Sequence, residues 1–112
     1  MNCVFLFGYL GSPPEYSISE DGVPSAKWSL AVRPRRGTAV NWVRCVCYRA
    51  LADIIRDNYG TGDPMVVKDG ELVISKWGDR PPYWQVRVRL IENLGRKSKD
   101  IENLYEEKNN GR

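Results

Sequence analysis

A chain of 112 residues with 42% hydrophobic and 28% charged residues is long enough for one domain with a modest core and too apolar to be disordered. The formal net charge of +3 is unevenly spread: residues 1–97 carry 14 Lys/Arg and 10 Asp/Glu, and residues 98–112 carry 3 and 4, so the basic excess belongs to the folded part and leans towards a polyanionic partner. Histidine is absent, the three cysteines (Cys3, Cys45 and Cys47) lack zinc-finger spacing, and no apolar run is long enough for a secretory signal or a membrane span; this excludes the usual metal, cofactor and membrane classes and predicts reduced, buried thiols in a cytoplasmic protein.

Residues 3–10, "CVFLFGYL", form an apolar, aromatic-rich run suited to a buried strand, and Gly8 inside it predicts a bulge or a sharp bend at a barrel corner. "GSPPE" is a turn, because two prolines cannot donate to a ladder. "EYSIS" reads as a short strand and "EDGVP" as a second turn, with Gly22 free to take positive φ. "AKWSLAVR" (residues 26–33) alternates, with Trp28, Leu30 and Val32 on one face. "RPRRGTA" is a short basic loop. In "NWVRCVCY", Val43, Cys45 and Cys47 make a small apolar face that reads as core. The opposite face holds Trp42, Arg44, Val46 and Tyr48.

A helix is expected from about Ala50, with Leu51, Ile54 and Ile55 as its apolar stripe and Asp53, Arg56 and Asp57 towards water. "YGTGDP" stops it. "MVV" and "ELVISKW" read as one strand broken at "KDG". "YWQVRVRLI" (residues 83–91) is the last strand. Its parity puts Trp84 with Val86, Val88 and Leu90, so Trp84 and Trp28 both read as core. "KDIENLYEEK" has the pattern of a short helix with little to bury. With the short "EYSIS" set aside, three strand segments, a helix and two more strands predict an all-β chain: a five-stranded OB-fold barrel with one helix between strands 3 and 4. Residues 1–95 would form the domain and residues 96–112 a polar C-terminal tail.

An exposed row of large aromatics marks an interaction surface. Trp42, Tyr48 and Trp77 offer π-faces on which any base stacks, and Arg33, Arg35, Arg36, Arg44, Lys76, Arg87 and Arg89 offer cations to follow phosphates. The plainer alternatives are that Trp42, Tyr48 and Trp77 pack under a loop or at a subunit interface, and that Arg87 and Arg89 belong to a solvated face. Asp53 and Asp57 sit one helical turn apart without a His or Cys partner, so they read as solvating charges. "GTGDP" lacks the Lys and Ser/Thr of a phosphate-binding loop.

Four of these stretches, in order, resemble the bacterial single-stranded DNA-binding protein family. "MNCVFLFGYLGSPPEYSI" resembles its opening, "AKWSLAV" its second strand, "NWVRCVCYRALADII" its central signature, and "GELVISKW" its fourth strand. The resemblance runs from Met1 to about Leu94 and implies an OB fold, homo-oligomers (dimer or tetramer) and single-stranded DNA held across Trp42, Tyr48 and Trp77. It also implies pairing of first strands across a dimer, which "CVFLF" would suit. Three departures stand out. The family's further stacking Trp, after the second strand, has no counterpart in the shortened "RPRRGTAV". Val43 stands where the family usually has His. The acidic tail ending in Pro-Phe, through which replication proteins dock, has no match in "EEKNNGR". The expected function is non-catalytic, largely sequence-independent binding of single-stranded DNA in replication, recombination or repair. The alternatives are a primosome-type OB protein that bridges replication proteins, and an OB module that binds protein. An enzyme is disfavoured, because no nucleophile–base pair is present.

Overall fold

The computed structural model describes residues 1–76 and 78–92. Its elements, in chain order, are β1 (Val4–Leu10), β2 (Glu15–Ile18), β3 (Pro24–Val32), β4 (Asn41–Tyr48), α1 (Ala50–Asn58), β5 (Pro64–Ser75) and β6 (Tyr83–Glu92). Trp77, the expected helix in "KDIENLYEEK" and the tail at 96–112 lie outside the described residues.

The strands pair in the order β1-β5-β6-β4-β3-β2, and β1 also pairs with β3. Tyr9 and Leu10 meet Ala31 and Leu30, while Glu15 to Ile18 meet the other half of the same edge of β3. β1 and β2 therefore act as one barrel strand, interrupted at residues 11–14 where Pro13 and Pro14 withhold donors. The result is the expected closed five-stranded barrel with one helix. β4 and β6 run parallel, with Cys45 opposite Val86 and Val46 opposite Arg87.

Strand alternation fills the interior. Ala26, Trp28 and Leu30 of β3, Cys45 and Cys47 of β4, Met65 and Val67 of β5, and Val86 and Val88 of β6 are buried in one core. The helix closes one end of it: Leu51, Ala52 and Ile55, with Tyr59 just beyond, join the same cluster. Arg49 takes φ 66 at the entry to α1, where its N–H donates to the Pro24 carbonyl and its own carbonyl accepts from Ala52. Those bonds hold a conformation that non-glycine residues seldom adopt. Asp53 does not simply solvate the helix. Its carboxylate accepts a 2.6 Å hydrogen bond from the Tyr16 hydroxyl, and Arg56 stacks over the Tyr16 ring at 4.3 Å. This ties α1 to β2, and the bond to Asp53 pushes the Tyr16 phenol above its ordinary pKa.

Three other expectations change. β5 is continuous, and "KDG" is not a break: register shifts at Val67, Asp69 and Gly70 absorb the irregularity as bulges. Gly8 marks close approach, since a Cβ there would run into the Ala31 carbonyl oxygen; the shift within β1 lies between Val4 and Leu6. Trp84 is not core, although its parity is correct. It pairs with Ile74 on a stretch of the β5–β6 hairpin past the last bridges to β1 and β4, and it is 59% exposed. No helix among the described residues is long and apolar enough to cross a membrane.

All three cysteines are free. Cys45 and Cys47 are buried as expected, but Cys3 is exposed ahead of β1. Burial pushes the Cys45 and Cys47 thiols from an ordinary 9.0 up to about 12. Between those values the unfolded chain loses protons that the folded chain keeps, so this contribution to stability falls as pH rises from about 9 to about 12. A thiol reagent at pH 8 should modify one cysteine in the native protein and three after denaturation. Rapid native modification of all three would show that the barrel does not hold β4 closed.

Candidate functional site

The outer face of the barrel carries the side chains that alternation sends away from the core. Cross-strand register sorts them into rows. Tyr9, Ala31 and Trp42 lie side by side across β1, β3 and β4. Ser29 and Arg44 form the next row, Lys27, Val46, Arg87 and Glu71 the one after it, and Ser25 and Tyr48 the last on β4.

Trp42 is 63% exposed. Its indole nevertheless rests on the turn after β1, because a Cβ built on Gly11 would collide with the six-membered ring. One side of the ring is supported by bare backbone while much of it stays open to solvent, as a stacking platform requires. Ala31, small and in the same row, leaves room between Trp42 and Tyr9. Tyr9 in turn meets Phe7 edge to face at 5.4 Å.

The arginines of this face are positioned by tyrosines. The Arg44 guanidinium lies 4.7 Å from the Tyr83 ring centroid, and that of Arg87 lies 4.9 Å from the Tyr48 centroid. Each such pairing is worth about 0.5–1 kcal/mol at an exposed site, enough to bias a rotamer without locking it. Among the described residues, Arg44 and Arg87 are in no ion pair; the ion pairs there involve Arg56 and Lys68. A depression of about 210 Å³ runs between Glu15, Lys27, Ser29, Arg44, Tyr83 and Gln85. A second, of about 310 Å³, adjoins it at Arg44 and Tyr83 and extends to Arg80 and Pro81.

The expected site residues divide accordingly. Trp42, Arg44, Tyr48 and Arg87 share one face, and Arg89 is exposed on the same face of β6. Arg33, Arg35 and Arg36 are exposed in the loop between β3 and β4, which starts beside Trp42 because Val32 pairs with Asn41. Lys76 is exposed just past β5. Val46, read as part of the exposed face, is 1% exposed. Its neighbours on that face are Lys27, Arg44, Tyr48 and Arg87, whose long stems shade a short side chain. Sequence reasoning misses Tyr83 and Arg80. Parity sets Tyr83 beside Arg87, but nothing in sequence spacing shows that β6 runs next to β4 and brings Tyr83 to Arg44. No group of His, Cys, Asp and Glu suited to a metal occurs among the described residues.

Comparison with known proteins bears on this surface. The model of the single-strand binding protein family matches residues 1–93. Among solved structures, a deletion mutant of the single-stranded DNA-binding protein from Thermus aquaticus superposes with a TM-score of 0.72 at 23% identity. The match covers 87% of this chain and 42% of that one, so this chain spans less than half of the relative's length. The SSB domain of a Synechococcus sp. protein superposes with a TM-score of 0.69 at 21% identity, covering 81% of this chain and 93% of that one. At these identities the superpositions establish the fold alone. No curated protein sequence matches the chain significantly.

The support of Trp42 by Gly11 is open to test. Gly11→Ala should shift the Trp42 indole N–H resonance, identified by its loss in Trp42→Phe, and leave that of buried Trp28 in place. A Trp42 resonance unmoved by the added methyl would show that the ring does not rest on this turn.

Proposed function

The chain belongs to the single-strand binding protein family, and from that premise we propose that it binds single-stranded DNA without catalysis and with little sequence preference, across the outer face of β3, β4 and β6. The observation that carries this reading is an exposed Trp42 on the same face as Arg44 and Arg87, which are in no ion pair among the described residues. A sequence-tolerant binder needs rings on which every base can stack, each stack being worth about 1–3 kcal/mol, and charges spaced along a backbone. Trp42, Tyr48 and Trp77 fill the first role in this proposal. Arg33, Arg35, Arg36, Arg44, Lys76, Arg87 and Arg89 fill the second. Residues 1–95 are assigned to binding and 96–112 to a polar tail.

The biological setting that fits is the holding of separated strands in the bacterial cytoplasm during replication, recombination or repair. Self-association is part of the proposal. From Val4 to Gly8, β1 pairs with β5 on one side only, and Phe5, Phe7 and Tyr9 are exposed on its outer face. An open strand edge beside exposed aromatics favours pairing with a second copy.

A titration separates this function from a protein-binding or bridging role. At near-physiological salt the protein should prefer oligo(dT) to duplex of equal length, because a duplex hides the π-faces, and it should quench its own tryptophan emission on binding. Replacing Arg33, Arg35 and Arg36 with Ala should lower the log–log salt slope by roughly 0.7 for each phosphate no longer neutralised. Equal affinity for single strand and duplex, with unquenched emission, would overturn the assignment in favour of a protein partner.

A further inference from the structure

The two ends of the barrel differ. At one end α1 seals the core with Leu51, Ala52 and Ile55. At the other, exposure rises along the inner face of the β5–β6 hairpin. Gly70 pairs with Val88 and Leu72 with Val86, and Val88 and Val86 are buried; the next pair outward is Ile74 with Trp84, which are 55% and 59% exposed. Neither Ile74 nor Trp84 is bridged to a strand outside the hairpin. The pairing of β4 with β6 is at Cys45 and Val46. On the other side the pairing of β1 with β5 reaches Gly70, after which the Asn2 side-chain amide pairs with the Leu72 backbone, accepting from its N–H and donating to its carbonyl at 2.8 Å each. Beyond that point the hairpin makes no further ladder pairing among the described residues, Arg44 of β4 still reaches Tyr83, and the Trp84 indole is exposed on the inner face.

Charge defines what fits there. Because Val32 pairs with Asn41 and β4 runs parallel to β6, the loop at residues 33–40 and the hairpin-tip residues Lys76 and 78–82 flank the same end. Together they carry Arg33, Arg35, Arg36, Lys76 and Arg80 against Asp79 alone. An apolar, aromatic mouth ringed by cations matches a ligand that pairs flat rings with anions. A second copy would bring like charge to like charge, and an uncharged apolar segment would leave the cations unused. Tyr83, at the end of the Arg44–Arg80 depression, immediately precedes Trp84, so a strand following that depression meets the hairpin edge one residue from the exposed indole.

We propose that the open barrel mouth is a second nucleic-acid subsite, in which an unpaired base stacks on Trp84 while Arg80 and the 33–40 loop hold the adjoining phosphates. This inference rests on single-strand binding by the outer face and extends the path of the strand past it. It also supplies an aromatic at an end where the short 33–40 loop has none.

The test uses the full chain. With Trp42 and Trp77 both replaced by Phe, the remaining tryptophans are buried Trp28 and exposed Trp84, so quenching by oligo(dT) in that background reports Trp84. Quenching is expected, and in the otherwise unaltered chain Trp84→Ala should weaken oligo(dT) binding about tenfold with an unchanged oligomeric state by sedimentation. If the chain with Trp42 and Trp77 replaced still binds oligo(dT) by sedimentation while Trp84 stays unquenched, and Trp84→Ala binds as the parent does, the mouth subsite falls and the outer-face assignment stands. If Trp84→Ala dissociates the oligomer while Trp84 is unquenched by DNA, the mouth is a subunit interface and the proposal is overturned. A parent that binds no single strand removes both readings.

Discussion

The whole arrangement depends on how closely β1 approaches β3. The Gly8 Cα lies where any Cβ would strike the Ala31 carbonyl oxygen and press on Leu30. Only with hydrogen at that position can β1 cross β3 tightly enough for Tyr9 and Leu10 to pair with Ala31 and Leu30. That pairing closes the barrel and fixes its register. With side chains alternating at a period of two, a slip of one residue would exchange the two faces of β1. Leu10 would leave the core, and Tyr9 would leave the row it shares with Ala31 and Trp42. Trp42 itself is placed by the pairing of β4 with β3, and the presence of Tyr9 in its row is therefore a consequence of one missing methyl on β1. A second glycine, Gly11, then gives Trp42 a surface to rest against.

The same face shows how the proposed binding surface is ordered by its own side chains. Arg44 and Arg87 are held over Tyr83 and Tyr48, not over carboxylates. A carboxylate partner would neutralise the charge and compete with an incoming phosphate. A tyrosine ring orients the guanidinium and leaves its full charge available. The relative magnitudes set the outcome on binding. A cation–π pairing is worth about 0.5–1 kcal/mol at such a site, and a stacked base about 1–3 kcal/mol. In the proposed binding mode a base arriving at Tyr48 would displace Arg87 from the ring face at a net gain and free its guanidinium for a phosphate.

Much of this was legible in the sequence because strands announce themselves by alternation. The fold followed from the number and order of short strands around one helix, and the face of Trp42, Arg44 and Tyr48 from parity in "NWVRCVCY". Parity has a limit, however. It tells which side of a sheet a residue occupies, not whether the sheet has anything packed against it there. Trp84 shares parity with buried Val86 but sits past the last bridges from the hairpin to β1 and β4, so the same inward direction leads to solvent. Val46 fails in the opposite sense: it points outward and is covered by longer side chains from β3 and β6, whose adjacency to β4 is tertiary information. The parallel pairing of β4 with β6 has no local signal, and without it the Arg44–Tyr83 and Arg87–Tyr48 pairs cannot be anticipated.

Alternation also separates what holds the barrel together from what the barrel presents. Trp28, Leu30, Cys45, Met65 and Val86 stabilise it from inside, while Trp42, Arg44, Tyr48, Arg87 and Trp84 contribute from positions largely open to solvent. Substitutions at exposed positions usually change stability by no more than about 0.5 kcal/mol, so the outer face can vary in aromatic and basic content with the fold intact. The shortened 33–40 loop is where such latitude is most visible. It carries three arginines and no ring, and an interface built there holds phosphates but stacks no base. Affinity at that end of the barrel would then be strongly salt-dependent unless a ring is supplied from elsewhere. Exposed rings at that end, among the described residues, are Trp42 at the start of β4 and Trp84 on the hairpin, and the proposed subsite would join the charge of the loop to the π-face of the second.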